Sequence, residues 1–284
     1  MRRWFLLLLA ICVLLISDAQ PAGAASPAAA CTGGGPVDDT AQLGRFDVIE
    51  LRRYPVAPAK RPLFAKYYET WIPEAFEQLG ILVFGEFFER GQYNWTWIRG
   101  FHTVQDHAIA NSEFYYGPVW REHAALLNSM LPGVDDNVLE LHALNAQSGI
   151  PVLPAVDPVA EPKGAQGVVV VEIYAVKKDD MQPFSRRALQ AFSRYGVPGV
   201  RPAGVLVTLE GSNNFPLLPF RTDGPYLVAL HILRDEAVFK RTFEPLLART
   251  RQEMTASGML RRAPEILVLD PGKRSRLRWL PACK

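Results

Sequence analysis

The sequence presents one plan twice. Residues 45–146 and 167–270 each read as strand, helix, strand, strand, helix, strand, and their landmarks correspond. Val48-Ile49-Glu50-Leu51 answers Val170-Val171-Glu172-Ile173, and Gly80-Ile81-Leu82-Val83 answers Gly204-Val205-Leu206-Val207. Phe101-His102-Thr103-Val104-Gln105-Asp106 answers Leu230-His231-Ile232-Leu233-Arg234-Asp235. The spacing between partners drifts along the chain, as small loop insertions between two copies of one unit would make it drift. Each unit predicts a four-stranded antiparallel sheet with helices on one face. The bare faces need a cover, because apolar area left in water costs roughly 25 cal/mol per Å². Packing the two bare faces together supplies it, giving an α+β barrel within one chain with a lined hollow between the sheets.

The segments around the units divide the chain further. Arg2-Arg3, an apolar run from Trp4 to Ile16, and Ala22-Gly23-Ala24 have the order of a secretory signal peptide over 1–24. The run is short for a membrane span. Its extreme apolarity favours the general secretory route over a twin-arginine route. Residues 25–44 read as a loose leader, 147–166 as a Pro-, Gly- and Ala-rich linker, and 272–284 as a C-terminal tail. Lys273-Arg274-Ser275-Arg276-Leu277-Arg278 in that tail reads as solvated charge. Export places the protein in the periplasm or outside the cell. Cys12 leaves with the signal, and an oxidising compartment lets Cys31 pair with Cys283 near the two chain ends. Free thiols or a lipidated Cys31 are the alternatives. A net charge of +2 offers no field for nucleic acid.

Strand parity nominates the site. Ile49 and Leu51 suit a helix-covered face, so Glu50, Arg52 and Tyr54 point between the sheets, with Glu172 and Tyr174 beside them and Glu140 and His142 from the fourth strand. Trp95, Trp97, Arg99 and Phe101 share one face. Turned inward, they would stack a flat aromatic ligand and hold its acidic group; turned outward, they are core. Glu50 and Glu172 are a candidate carboxylate pair, or partners of Arg52 and Arg99. His102 and His231 fall at matching strand ends, where they serve as general base, as haem ligand, or as hydrogen-bonded junction residues. Asp106 and Asp235 beyond them suit helix N-terminal turns. His102, His107 and His123 match no zinc spacing and H-E-x-x-H is absent, so no metal is expected.

The first unit resembles the NIPSNAP family. Ile49-Glu50-Leu51-Arg52-Arg53-Tyr54, Ile72-Pro73, Leu79-Gly80-Ile81-Leu82-Val83-Phe84-Gly85 and Gly117-Pro118-Val119-Trp120 carry the resemblance by their order and spacing. The second unit fits in outline. The resemblance implies two tandem ferredoxin-like units of the dimeric α+β barrel superfamily, which holds haem-degrading and quinone-forming monooxygenases, peroxidases and plain binding proteins. The expected function is therefore binding of a small apolar or aromatic molecule between the two sheets, with Glu50, Tyr54, Trp97, Arg99, Glu172 and Tyr174 as ligand contacts. The alternatives are a monooxygenase, cofactor-independent or haem-handling, using His102 or His231, and an interaction module with a filled core. Oligomeric state stays open.

Overall fold

A computed structural model describes residues 45–133 and 137–280. The signal, the leader, Cys31 and Cys283 lie outside the described residues. The strands are β1 (Val48–Pro55), β2 (Leu82–Glu89), β3 (Asn94–Phe101), β4 (Val138–Ala143), β5 (Val168–Ala175), β6 (Val200–Thr208), β7 (Tyr226–Leu233) and β8 (Glu265–Pro271). The helices are α1 (Arg61–Glu77), α2 (Val104–Tyr115), α3 (Pro118–Ser129), α4 (Met181–Phe192) and α5 (Glu244–Ala256). A short α turn (Glu236–Val238) and a π turn (Phe239–Phe243) lead into α5.

All eight strands form one closed antiparallel barrel in the order β1-β3-β2-β8-β5-β7-β6-β4. Closure rests on two short seams, Phe87–Glu89 of β2 against Leu269–Pro271 of β8, and Leu141–Ala143 of β4 against Leu206–Thr208 of β6. In each seam the second strand of one half pairs with the fourth strand of the other. Arg90 forks onto Asp270 at 2.6 and 3.0 Å and so clamps the first seam.

Local chemistry sets the helix ends. Thr103 caps α2, its Oγ1 accepting from the Asp106 N–H at 3.1 Å while donating to the Asp106 carboxylate at 2.8 Å. Asp235 accepts likewise from the Val238 N–H at 2.8 Å. Both aspartates thus serve helix starts. Gly117 and Pro118 separate α2 from α3, because a Cβ at 117 would lie 2.2 Å from the Glu113 carbonyl oxygen and Pro118 suits a first helical turn.

Three apolar clusters follow from strand parity. The barrel lumen is filled by Ile49, Leu51, Ile98, Leu141, Val171 and Leu269 among others. A second cluster lies under α4 and α5, and a third under α1, α2 and α3. The expected assignment of faces is therefore inverted. Ile49 and Leu51 face the lumen, whereas Glu50 and Arg52 face the helices. An eight-stranded barrel is just wide enough for side chains to fill it. A charge inside would be desolvated with no helix to answer it. The expected ligand hollow between the sheets is thus solid core.

Two flanking segments pack more closely than expected. Ile150, Val152 and Leu153 of the linker join the lumen cluster. The tail is not solvated through Arg278. Leu277 is fully buried, Arg274 pairs with Glu74, and Arg278 reaches Glu161 at 2.7 Å. Alternating apolar and basic residues let this strap bury one face and pair the other.

Candidate functional site

The helix-facing side of the first half carries the site. Register aligns Glu50 with Arg99 and Arg52 with Trp97 across β1 and β3, and sets Glu50 opposite Glu140 of β4. Two carboxylates side by side on a buried sheet repel each other unless cations intervene. Arg52 Nη1 donates to Glu50 Oε2 at 2.9 Å and Arg99 Nε to the same oxygen at 2.5 Å. His107 Nε2, on the first turn of α2, lies 2.8 Å from Glu50 Oε1 and 3.3 Å from Glu140 Oε1. One turn further along α2, Asn111 Oδ1 accepts from Arg99 Nη2 at 2.9 Å. The second half contributes Asn214. Its amide donates to the Val104 carbonyl at 2.6 Å, which turns its Oδ1 toward His107 Nδ1, also at 2.6 Å. Asn214 Oδ1 thus accepts the His107 Nδ1–H, and Nε2–H faces the carboxylates as a second donor.

The electrostatics follow from this crowding. Burial would raise the Glu50 carboxyl, yet the charges of Arg52 and Arg99 and the His107 bond hold it well below the usual carboxylate range. Burial pulls His107 down, and the Glu50 and Glu140 carboxylates outweigh it, so the imidazole sits above its ordinary value. Glu140 moves up, by burial and by the neighbouring Glu50 charge.

Beside this network lies an aromatic-lined cavity between the sheet and α1, α2 and α3. Tyr54, Tyr68, Trp97, Phe114, Tyr115 and Trp120 form much of its wall. It measures about 40 Å³, room for a few waters at ~10–15 Å³ each. A larger guest requires α1 and α3 to part. Tyr54 takes a bond from Arg52 Nη2 at 2.5 Å and meets the Trp97 ring edge-on at 4.6 Å. Two wall atoms, Tyr68 Oη and Trp97 Nε1, are buried with no hydrogen-bond partner. Arg52 Nε, Arg99 Nη1 and Asn111 Nδ2 in the adjoining network share that condition. Glu86, opposite Trp97 on β2, is buried and pushed up to about 8 by desolvation and by Glu69.

The structure gathers half of the expected site residues. Glu50, Tyr54, Trp97 and Arg99 meet here. Glu172 and Tyr174 lie in the helix layer of the other half, where Tyr174 donates to Glu172 and His231 Nε2 sits 3.2 Å from its other oxygen. Phe192, Tyr195 and Phe243 pack against His231. His231 is not the counterpart of His102. Register pairs Val170 with His231 and Val48 with Phe101, one residue earlier. His102 stacks on Phe46 at 4.5 Å, with Nδ1 3.0 Å from the Arg45 carbonyl, outside the cavity wall. Neither histidine can act on a ligand bound there.

Haem does not fit the cavity as it stands. The cavity volume is too small, and among the described wall residues neither His102 nor His231 is present; the side chains there that could ligate an iron are Tyr54, Tyr68 and Tyr115. The sequence set His107 aside on zinc spacing alone, and Asn111 and Asn214 were not among the expected site residues. The i, i+4 pair of His107 and Asn111 on a capped helix was a legible signal; nothing local marks Asn214.

No protein-family model matches the sequence, and no curated protein does. Solved structures do match in fold. A candidate monooxygenase from Lactobacillus acidophilus is 14% identical, with a TM-score of 0.50, over 81% of this chain and 97% of its own. One from Fusobacterium nucleatum is 12% identical, TM-score 0.51, over 81% and 94%. An anthrone oxidase-like protein is 9% identical, TM-score 0.53, over 81% and 92%. At such identities the likeness is one of fold, an α+β architecture around a closed eight-stranded antiparallel barrel.

Proposed function

We propose that the protein binds a small, largely apolar aromatic molecule carrying an acceptor oxygen, between the first-half sheet and α1–α3. The observation that carries this is the pair of buried, unpartnered groups in an aromatic wall, Tyr68 Oη and Trp97 Nε1. A buried donor without an acceptor costs about 1–3 kcal/mol, and a ligand oxygen would recover it. Aromatic walls with a few converging polar groups are the usual form of small-molecule sites.

The test is fluorescence titration of the full chain with a panel of phenols, anthrones and naphthoquinones. Saturable quenching is expected, weakened about tenfold by Trp97→Phe, which keeps an aromatic side chain in the wall and removes the donor. Saturable binding unaffected by both Trp97→Phe and Tyr68→Phe would refute this site.

A second reading is oxygen-dependent oxidation of such a ligand. The fold shared with candidate monooxygenases and an anthrone oxidase-like protein supports it. Oxygen uptake with the same panel tests it. The proposal also retains two related halves, kinship of the first half with NIPSNAP proteins, and export. N-terminal sequencing of the mature chain, with cleavage after Ala24 expected, tests export.

A further inference from the structure

One imidazole and two carboxylates converge beside the cavity: Glu50, His107 and Glu140 each offer a ligand atom, all within 4.8 Å of one another. We propose that Glu50, His107 and Glu140 form a binding site for a divalent transition-metal cation. This reading stands apart from that of the aromatic cavity and uses different atoms.

The surroundings carry the argument further than the cluster does. Metal-bound imidazoles nearly always donate their other N–H to a fixed acceptor, and metal-bound carboxylates are themselves hydrogen-bonded. Both arrangements are present. His107 Nδ1 donates to Asn214 Oδ1 at 2.6 Å, and the Asn214 amide is anchored on the Val104 carbonyl. Nε2 is thereby aimed at the two carboxylates. Arg52 and Arg99 both bond Glu50 Oε2 and leave Oε1 facing His107. The guanidiniums therefore orient the carboxylate without taking the lone pairs that a cation would use.

The spacing is suitable. Metal–ligand distances of ~2.0–2.2 Å in tetrahedral geometry separate neighbouring donors by roughly 3.3 Å. His107 Nε2 stands 3.3 Å from Glu140 Oε1 and 2.8 Å from Glu50 Oε1, so a shift of a few tenths of an ångström completes the fit. Glu140 is partly exposed and gives a path of entry. One imidazole with two carboxylates suits Zn²⁺, Mn²⁺ or Fe²⁺ rather than a thiophilic ion. Three protein ligands leave a coordination position open. The two guanidiniums oppose the cation's charge and make the site weaker than a structural zinc.

The experiment uses the full chain, stripped by chelator and titrated with Zn²⁺ by calorimetry, with Co²⁺ absorption as a second readout. One ion per chain is expected, with a Co²⁺ d–d spectrum of nitrogen and oxygen ligation. His107→Gln should weaken binding at least 100-fold, and Asn214→Ala about 10–100-fold, the range for loss of an outer partner. His123→Ala should leave it unchanged. Circular dichroism establishes that each variant is folded; should His107→Gln fail to fold, Glu140→Gln takes its place, with the same loss expected. Absence of stoichiometric uptake overturns the proposal. So does uptake insensitive to these changes, or a His107 Nε2–H resonance that persists at saturating Zn²⁺.

Discussion

Arg99 shows how much one buried side chain organises. It is fully buried, bonds Glu50 and Asn111, and lies 5.0 Å from the Phe76 ring centroid. Removing one partner of a buried pair leaves the other charged and dry, at a cost of about 3–5 kcal/mol. Arg99→Met should lower stability by that order in urea denaturation, and Arg99→Lys should not restore it, because an ammonium cannot reproduce the fork. Glu86 makes a prediction about pH. Its folded pKa is raised, from an ordinary 4.5 to about 8. Between those values the folded chain holds a proton that the unfolded chain has released, so stability falls as pH rises through the window and levels above it. At ~1.36 kcal/mol per unit the whole fall is at most on the order of 5 kcal/mol. Glu86→Gln should flatten that slope in denaturation midpoints measured across the window. An unchanged slope would assign the pH dependence to other groups.

At the level of elements, the strands were more legible than the helix faces. Alternation in Val48-Ile49-Glu50-Leu51 marks two unlike faces in the sequence, and both exist. In α1 the spacing of Leu63, Phe64, Tyr67, Trp71 and Phe76 points to one buried face, whereas the large buried side chains are Phe64, Tyr68, Ile72 and Phe76. Leu63 and Trp71 are each 47% exposed, with Trp71 stacked on His123. Aromatic residues all round the helix made its rotation ambiguous, and packing against β3 settled it. The Gly117–Pro118 break and the Thr103 cap were local and therefore readable. The seams are where an element can be tested. Leu141 of β4 is fully buried in the lumen and belongs to the β4–β6 seam. Leu141→Ala should cost about 2–5 kcal/mol in thermal or urea unfolding. A loss under 1 kcal/mol would mean that the lumen repacks.

For the whole molecule, closure makes the halves interdependent. Alone, residues 45–146 would expose Ile49, Leu51, Ile98, Leu139 and Leu141 and leave β2 and β4 as free edges. Such edges invite pairing with another chain. Expressed alone, this fragment should dimerise or aggregate on size exclusion, whereas the intact chain should unfold in one transition with coincident near- and far-ultraviolet dichroism. A folded monomeric fragment would show that the barrel is not one cooperative unit. The site is equally a product of the whole, since Asn214 comes from the second half to orient a histidine of the first.

The sequence by itself determined the order of strands and helices, the two-faced character of each strand, and the starts and breaks of α2 and α3. These are settled by propensity, capping and period within a few residues. Tertiary structure alone decided which strand face turned inward and which residues joined Glu50. A period of two states that the faces differ and does not say what each will meet. The lumen is filled largely by aliphatic side chains, so Glu50 and Arg99 were left to the helix layer, where His107 and Asn111 could answer them.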